Sequence, residues 1–155
     1  SMKQAIEKLR ISGGIYIWKY ADNERNYPGW NLTVDLVASR ELTQLFDLMD
    51  QCEWSTSKKI FTSLPTDDEV SVPNNRNGNA KWTTKPEITL STRTTENPDY
   101  WVINETQKNL EIHFGKQKLK ELKEAIISIP NGKGDFSISD DSDENILTFW
   151  WRVRK

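Results

Sequence analysis

Alternating apolar and polar residues mark several short β-strands along the chain. Residues 15–20 are aromatic and β-branched, and residues 30–36 place Leu32, Val34 and Leu36 on one face. The loop around Tyr27-Pro28-Gly29 joins these two runs, which predicts a hairpin. The same criteria predict further strands at residues 59–64, 87–92, 100–103, 110–114, 135–139 and 146–153.

Two other stretches have helical spacing. Ser39 is a plausible N-cap, and the apolar residues Leu42, Leu45, Phe46 and Met49 follow at intervals of three and four, which predicts a helix over about residues 39–53. A second helix is predicted by apolar residues at similar intervals, namely Leu119, Leu122, Ile126 and Ile129. The sequence Pro130-Asn131-Gly132 ends this helix.

The order of these elements occurs twice. The strand Asn31-Leu32-Thr33-Val34-Asp35-Leu36 precedes the first helix, and Asn109-Leu110-Glu111-Ile112-His113-Phe114 precedes the second, 109 − 31 = 78 residues later. This pattern predicts an α+β fold: an antiparallel sheet, or two half-sheets, built from two ββαββ units with the two main helices packed on one face. The halves span about residues 12–92 and 97–153, and either duplication or recurrence of a common pattern explains them.

The length of 155 residues is that of one domain, so residues 1–155 are expected to share one core. Residues 65–86 lack periodicity and contain three prolines, which predicts a flexible loop that is either functional or disordered. Ser1-Met2 is interpreted as a tag scar ahead of the native start.

Charge, apolar content and cysteine count exclude several classes of partner and structure. The net charge of −2 makes nucleic acid an unlikely partner, because nucleic-acid binders neutralise phosphates with a basic surface. No apolar run approaches the roughly 20 residues of a membrane helix, so no membrane partner is predicted. Cys52 is the single cysteine, which excludes an internal disulfide. Residues 3–9 are too charged to be the apolar segment of a signal peptide, so a cytoplasmic protein is predicted.

Side-chain parity divides the predicted sheet into two faces. The face opposite the helices receives aromatic residues, one histidine and one arginine, a composition that protein interfaces favour. Two interpretations remain open: a partner docks on this face, or residues 65–86 or the N-terminal segment cover it. The side chains assigned to the face as contact residues are Tyr16, Trp18, Tyr20, His113, Trp150 and Arg152.

An acidic turn lies between the last two predicted strands, at Asp140, Asp141, Asp143 and Glu144. It fails as a calcium loop, because Ile146 stands where an EF-hand needs glycine and Arg152 where it needs glutamate. The turn is either a solvated hairpin connection or an anionic rim that attracts a basic partner.

The chain contains no recognisable catalytic grouping. His113 is the only histidine, and the predicted elements put it on the sheet face opposite Cys52, so a nucleophile pair is not expected. Phosphate-binding glycine loops, nucleophile elbows and metal-ligand spacings are missing from the sequence. We therefore predict no catalytic residue, no metal and no cofactor.

Four segments of the C-terminal third carry a resemblance: Leu110-Glu111-Ile112-His113-Phe114, Leu119-Lys120-Glu121-Leu122, Gly134-Asp135-Phe136-Ser137-Ile138 and Leu147-Thr148-Phe149-Trp150-Trp151. In layout they resemble small bacterial immunity-type proteins, the antitoxin partners of polymorphic or contact-dependent toxins. The resemblance implies a cytosolic, non-catalytic protein that binds and blocks one cognate toxin. It transfers no specific residue.

The sequence thus predicts a protein that binds another protein, either a toxin or a second copy of itself. The alternative is a nucleic-acid or small-ligand binder that uses the aromatic face as a stacking platform. An enzyme built around His113 is the third hypothesis, and it requires a pocket that joins His113 to a second titratable group.

Overall fold

The computed structural model describes residues 1–22, 25–74, 80–132 and 136–152. These residues form four helices and nine strands. In chain order they are α1 (Met2–Lys8), β1 (Ile15–Tyr20), β2 (Trp30–Val34), α2 (Leu36–Gln51), β3 (Ser57–Phe61), α3 (Asp67–Val70), β4 (Trp82–Thr83), β5 (Glu87–Thr92), β6 (Trp101–Glu105), β7 (Asn109–Phe114), α4 (Lys116–Ser128), β8 (Phe136–Ile138) and β9 (Leu147–Phe149).

The strands form two mixed sheets. Sheet 1 has the order β4-β1-β2-β9-β8, and sheet 2 has the order β3-β5-β7-β6. Each sheet contains one parallel pair, β2–β9 or β5–β7, and its other pairs are antiparallel. The α+β class is therefore confirmed, but the prediction of an antiparallel sheet is wrong. Alternation identifies a strand without indicating the direction of its neighbour.

Both sheets combine strands from the two predicted halves of the chain. Sheet 1 joins the early pair β1–β2 to the late pair β8–β9. Sheet 2 joins the pair β3–β5 to the hairpin β6–β7. As a result, the parallel pair in sheet 1 links residues more than 100 positions apart, such as Leu32 and Phe149.

One hydrophobic core connects both sheets with the helices. Helices α2 and α4 pack against each other, and α1 packs against α2. Alternation along the strands also predicts an inner face that meets the helices, and four of its residues, Ile15, Leu32, Ile112 and Phe149, lie in this core. Two other residues that alternation assigns to this face, Leu36 and Trp151, are instead 51% and 37% exposed. A third, Val153, lies outside the described residues.

Helix α2 begins earlier than its apolar spacing predicted. Asp35 is the N-cap, and its carboxylate accepts hydrogen bonds from the Ala38 N–H at 2.8 Å and the Gly14 N–H at 2.7 Å. Ser39, the predicted cap, instead lies within the helix and is buried, and its hydroxyl donates to the Ile126 carbonyl. Residues 35 and 36 therefore leave the strand that the alternation assigned to them.

Two short elements, α3 and β4, lie within the stretch 65–86 that was predicted as a flexible loop. Thr66 caps α3 through a reciprocal capping box with Glu69, and β4 pairs with β1. Residues 75–79 of this loop lie outside the described part of the chain. Within the described ranges, no helix combines the length and the apolar character needed to cross a membrane.

Candidate functional site: an aromatic cleft beside the acidic turn

The outer face of sheet 1 carries the predicted aromatic residues, and two of them are enclosed. Trp18 and Tyr20 are 0% and 1% exposed and pack with Val70 of α3, beside the partly buried Ala80 and Trp82. The Tyr20 hydroxyl donates to the Val70 carbonyl, and burial raises the Tyr20 pKa to about 12. The assignment of both residues as contact residues is thus corrected, because Val70, Ala80 and Trp82 of the segment 65–86 cover them.

Arg152 holds this cover in place. Its guanidinium lies 4.5 Å from the centroid of the Tyr16 ring, and Nη2 lies 3.7 Å from Oε2 of the buried Glu69. A planar cation stacked on an aromatic ring and paired with a carboxylate gains from both contacts. Arg152 and Tyr16 therefore connect the end of the chain to α3, and they contact each other across the outer face.

Trp150 remains half-buried at the border of this cover. Its Nε1 donates to Asn31 Oδ1 at 2.8 Å, and Asn31 Nδ2 donates to the Trp18 carbonyl at 3.3 Å. Its backbone N–H donates to the Leu32 carbonyl at 2.9 Å, which extends the β2–β9 pairing by one residue. The indole ring is thus held in a fixed orientation.

The acidic turn is organised by Asp140. Its carboxylate accepts hydrogen bonds from the Asn145 side chain at 2.8 Å, the Ser142 hydroxyl at 2.8 Å and the Glu144 N–H at 2.9 Å. These bonds, led by that from Asn145, lower the Asp140 pKa to about 2. Asp140 therefore shapes the turn, while Asp141, Asp143 and Glu144 are exposed.

Asn145 attaches the turn to sheet 2. Its carbonyl accepts a hydrogen bond from Trp101 Nε1 at 2.7 Å, and its Oδ1 accepts one from the Ile103 N–H at 2.9 Å. The next residue, Ile146, accepts a bond from the Trp30 N–H at 2.9 Å. Because both sheets bond to the turn, its carboxylates occupy defined positions beside the outer face of sheet 1.

A cleft of about 400 Å³ lies where Trp150 meets the acidic turn. It brings together two sequence-predicted residues, Trp150 and Asp143, with others that the sequence did not single out. The side chains that line the cleft include Tyr27, Asn31, Ser137, Asp143, Thr148 and Trp150. Among the described residues that line the cleft, Asp143 is the only charged one.

His113 lies on sheet 2 and does not line this cleft. Its Nδ1 accepts hydrogen bonds from Arg93 Nη2 at 2.9 Å and Nε at 3.2 Å, and its Nε2 lies 3.4 Å from Glu111 Oε1. Because arginine is only a donor, this geometry assigns the ring proton to Nε2. Alternation along β7 places Glu111 on the same face as His113, whereas nothing local in the sequence indicates Arg93, which reaches His113 only through the parallel β5–β7 pairing.

The other residues of chemical interest are held in structural contacts. Cys52 is buried at the C-cap of α2, and its carbonyl accepts a hydrogen bond from Lys116 Nζ at 3.2 Å. In the described ranges, no three histidine, cysteine or carboxylate side chains are placed to share a metal ion. The cleft beside Trp150 is therefore the best-supported candidate site.

Comparison with protein-family models, curated proteins and solved structures found no match to this chain.

Proposed function

We propose that this chain is a non-catalytic binding protein that recognises a basic surface of another protein through the cleft beside Trp150. The observation that supports this proposal is that Trp150 and Asp143 line the same cleft. The exposed Asp141 and Glu144 lie on the same turn as Asp143. A fixed aromatic side chain is a typical interface anchor, and surrounding carboxylates accelerate association with a cationic partner.

The immunity-type function is the specific form of this proposal. In it, the protein acts in the cytoplasm of the cell that produces a toxin and blocks that toxin by covering a basic surface. Occlusion requires a well-ordered binding surface rather than catalytic groups. The hydrogen bonds that fix Trp150 and Asp140 support such a preorganised surface.

We also infer that the fold consists of two ββαββ units with exchanged strand pairs. In this comparison β1–β2 corresponds to β6–β7, and β3–β5 corresponds to β8–β9. The order β1-β2-β9-β8 in sheet 1 then becomes β6-β7-β5-β3, which is the order of sheet 2 read from its other edge. The two parallel pairs then correspond as well. The short elements α3 and β4, which occur only in the first unit, cover the outer face of sheet 1.

Affinity capture with matched bait proteins tests the proposed function. One bait is the wild-type chain, and the second carries Trp150→Ala and Asp143→Asn. The control bait carries Trp54→Ala and Glu53→Gln, which remove an exposed tryptophan and an adjacent carboxylate elsewhere on the surface. We expect the wild-type and control baits to retain the same partner, and the cleft variant to lose it.

Calorimetry with the purified partner then gives the affinities. Loss of an anchoring tryptophan and one carboxylate should raise Kd by at least about tenfold, and added salt should weaken wild-type binding. Protection of cells from the partner by co-production of the wild-type chain would support the immunity-type function. Equal affinities for the wild-type and cleft-variant chains would refute the proposed surface.

A further inference from the structure

We propose that the cleft beside Trp150 binds an arginine side chain of the partner, an inference that rests on the function proposed above. The first argument is charge. Asp143 is the only charged side chain among the described residues of the lining, so no positive charge there competes for it. A carboxylate in a cleft with partly apolar walls is complemented by a cation that brings its own hydrogen-bond donors.

The aromatic walls favour a planar cation. Tyr27 and Trp150 both line the cleft, and the bond from Trp150 Nε1 to Asn31 satisfies the polar edge of the indole. The ring therefore offers a π-surface rather than a donor. Guanidinium is more weakly hydrated than ammonium and stacks on aromatic rings, so arginine suits this wall better than lysine.

The Asp143 carboxylate is positioned to receive such a group. Its backbone adopts a positive φ of 56°, which the bond from its N–H to the Asp140 carbonyl at 3.1 Å stabilises. The Ser139 hydroxyl donates to Oδ1 at 3.0 Å, which leaves Oδ2 for a ligand. The turn thus holds the Asp143 backbone in place and leaves one carboxylate oxygen for an incoming donor.

The remaining polar lining consists of groups that can accept hydrogen bonds. Ser137 and Thr148 share a hydrogen bond at 2.8 Å, and both retain lone pairs for a further donor. A guanidinium carries five N–H groups, so it can bond Asp143 and these oxygens together while its face contacts an aromatic ring. The volume of about 400 Å³ lies within the range of small-ligand clefts.

NMR titration of the intact protein with three capped amino acids tests this inference. The probes are N-acetyl-arginine amide, N-acetyl-lysine amide and N-acetyl-citrulline amide, the last a neutral isostere of arginine. The readout is the Trp150 indole N–H signal, assigned with a Trp150→Phe variant. We expect a saturable shift with the arginine probe, weaker binding of the lysine probe and no saturable shift with the citrulline probe.

Two charge-matched variants provide the control. Asp143→Asn should weaken binding of the arginine probe about fivefold, the usual effect of an exposed ion pair. Asp141→Asn changes the net charge equally but removes a carboxylate that does not line the cleft. It should leave binding nearly unchanged. Melting curves of both variants establish that the turn and the fold are retained.

The results separate this inference from the proposed function. If the arginine probe gives no saturable shift, or binds no better than the citrulline probe, the arginine site is refuted. In that case, continued loss of the protein partner by the Trp150→Ala, Asp143→Asn chain would preserve the proposed function. Equal weakening by Asp141→Asn and Asp143→Asn would also refute the site, because it would indicate general charge attraction alone.

Discussion

Asp140 shows how one half-buried carboxylate can organise a turn. Its hydrogen bonds to Ser142, Glu144 and Asn145 favour the ionised form, so its pKa falls from 3.8 to about 2. A carboxyl group whose pKa is lower in the folded state stabilises the fold above its unfolded pKa. That contribution is lost as the pH falls from about 4 towards 2.

Asp140→Asn should therefore reduce stability near neutral pH and flatten its dependence on acid. The amide can still accept the backbone N–H groups, but its NH₂ would face the donors of Ser142 and Asn145. Urea unfolding at about pH 6 and about pH 3 measures both effects, because only the wild-type chain loses the Asp140 contribution between them.

Asp141→Asn is the control, since it removes an adjacent exposed carboxylate. We expect it to lose stability with acid in the same way as the wild-type chain. An Asp140→Asn chain with unchanged stability at both pH values would contradict the structural role of this carboxylate.

For single residues, the sequence indicates which residue types can cap a helix, but not which residue forms the cap. Asp35 and Ser39 both suit a helix N-cap, and apolar spacing selected Ser39. Asp35 is the cap because Gly14 of the neighbouring loop bonds its second carboxylate oxygen. That contact joins positions 21 residues apart, so local periodicity carries no information about it.

Among the secondary-structure elements, α3 determines which residues on the outer face of sheet 1 are exposed. Parity placed Trp18 and Tyr20 on that face, and left open whether a partner or residues 65–86 would cover them. The short helix contributes Val70, which packs on both rings. The capping box between Thr66 and Glu69, which are three residues apart, stabilises α3 and so holds Val70 against the two rings.

Val70→Ser should loosen the cover and lower the free energy of unfolding by about 1–3 kcal/mol, because it removes buried methyl groups. Exposure of Trp18 should shift tryptophan emission to longer wavelength. Urea unfolding and fluorescence measure the two effects, and limited proteolysis should show faster cleavage within residues 66–74.

The half-buried Val72 is the matched control. Val72→Ser makes the same chemical change outside the ring cluster, so its effects on stability and emission should be smaller. Equal effects of the two substitutions would show that Val70 has no special role in covering Trp18 and Tyr20.

For the whole molecule, the combination of strands from distant parts of the chain is the main architectural constraint. Apolar spacing located most of the strands and both long helices, because each pattern is local. It could not identify the β2–β9 and β5–β7 pairs, since pairing over a long separation depends on packing of the complete core.

Separate fragments 1–95 and 96–155 should assemble into one folded complex. Fragment 1–95 lacks β8 and β9 of sheet 1 and β6 and β7 of sheet 2, and fragment 96–155 lacks all the other strands. Neither fragment can complete the shared core, so neither should fold stably alone. Mixing should give a 1:1 complex in size-exclusion chromatography, with a dispersed NMR spectrum that neither fragment gives separately.

Leu147→Asp in the second fragment is the control, because Leu147 is fully buried next to Trp30 in sheet 1. It should prevent assembly by placing a charge in the core. A fragment 1–95 that unfolds cooperatively on its own would contradict the exchanged arrangement.

The pairing of β2 with β9 also constrains folding during translation. A ribosome releases β1 and β2 more than 100 residues before it releases β9. Until then, the edge of β2 that β9 will occupy lacks its native neighbour, and an unpaired strand edge is prone to aggregation. The nascent chain is therefore expected to depend most on chaperones between the release of β2 and the release of β9.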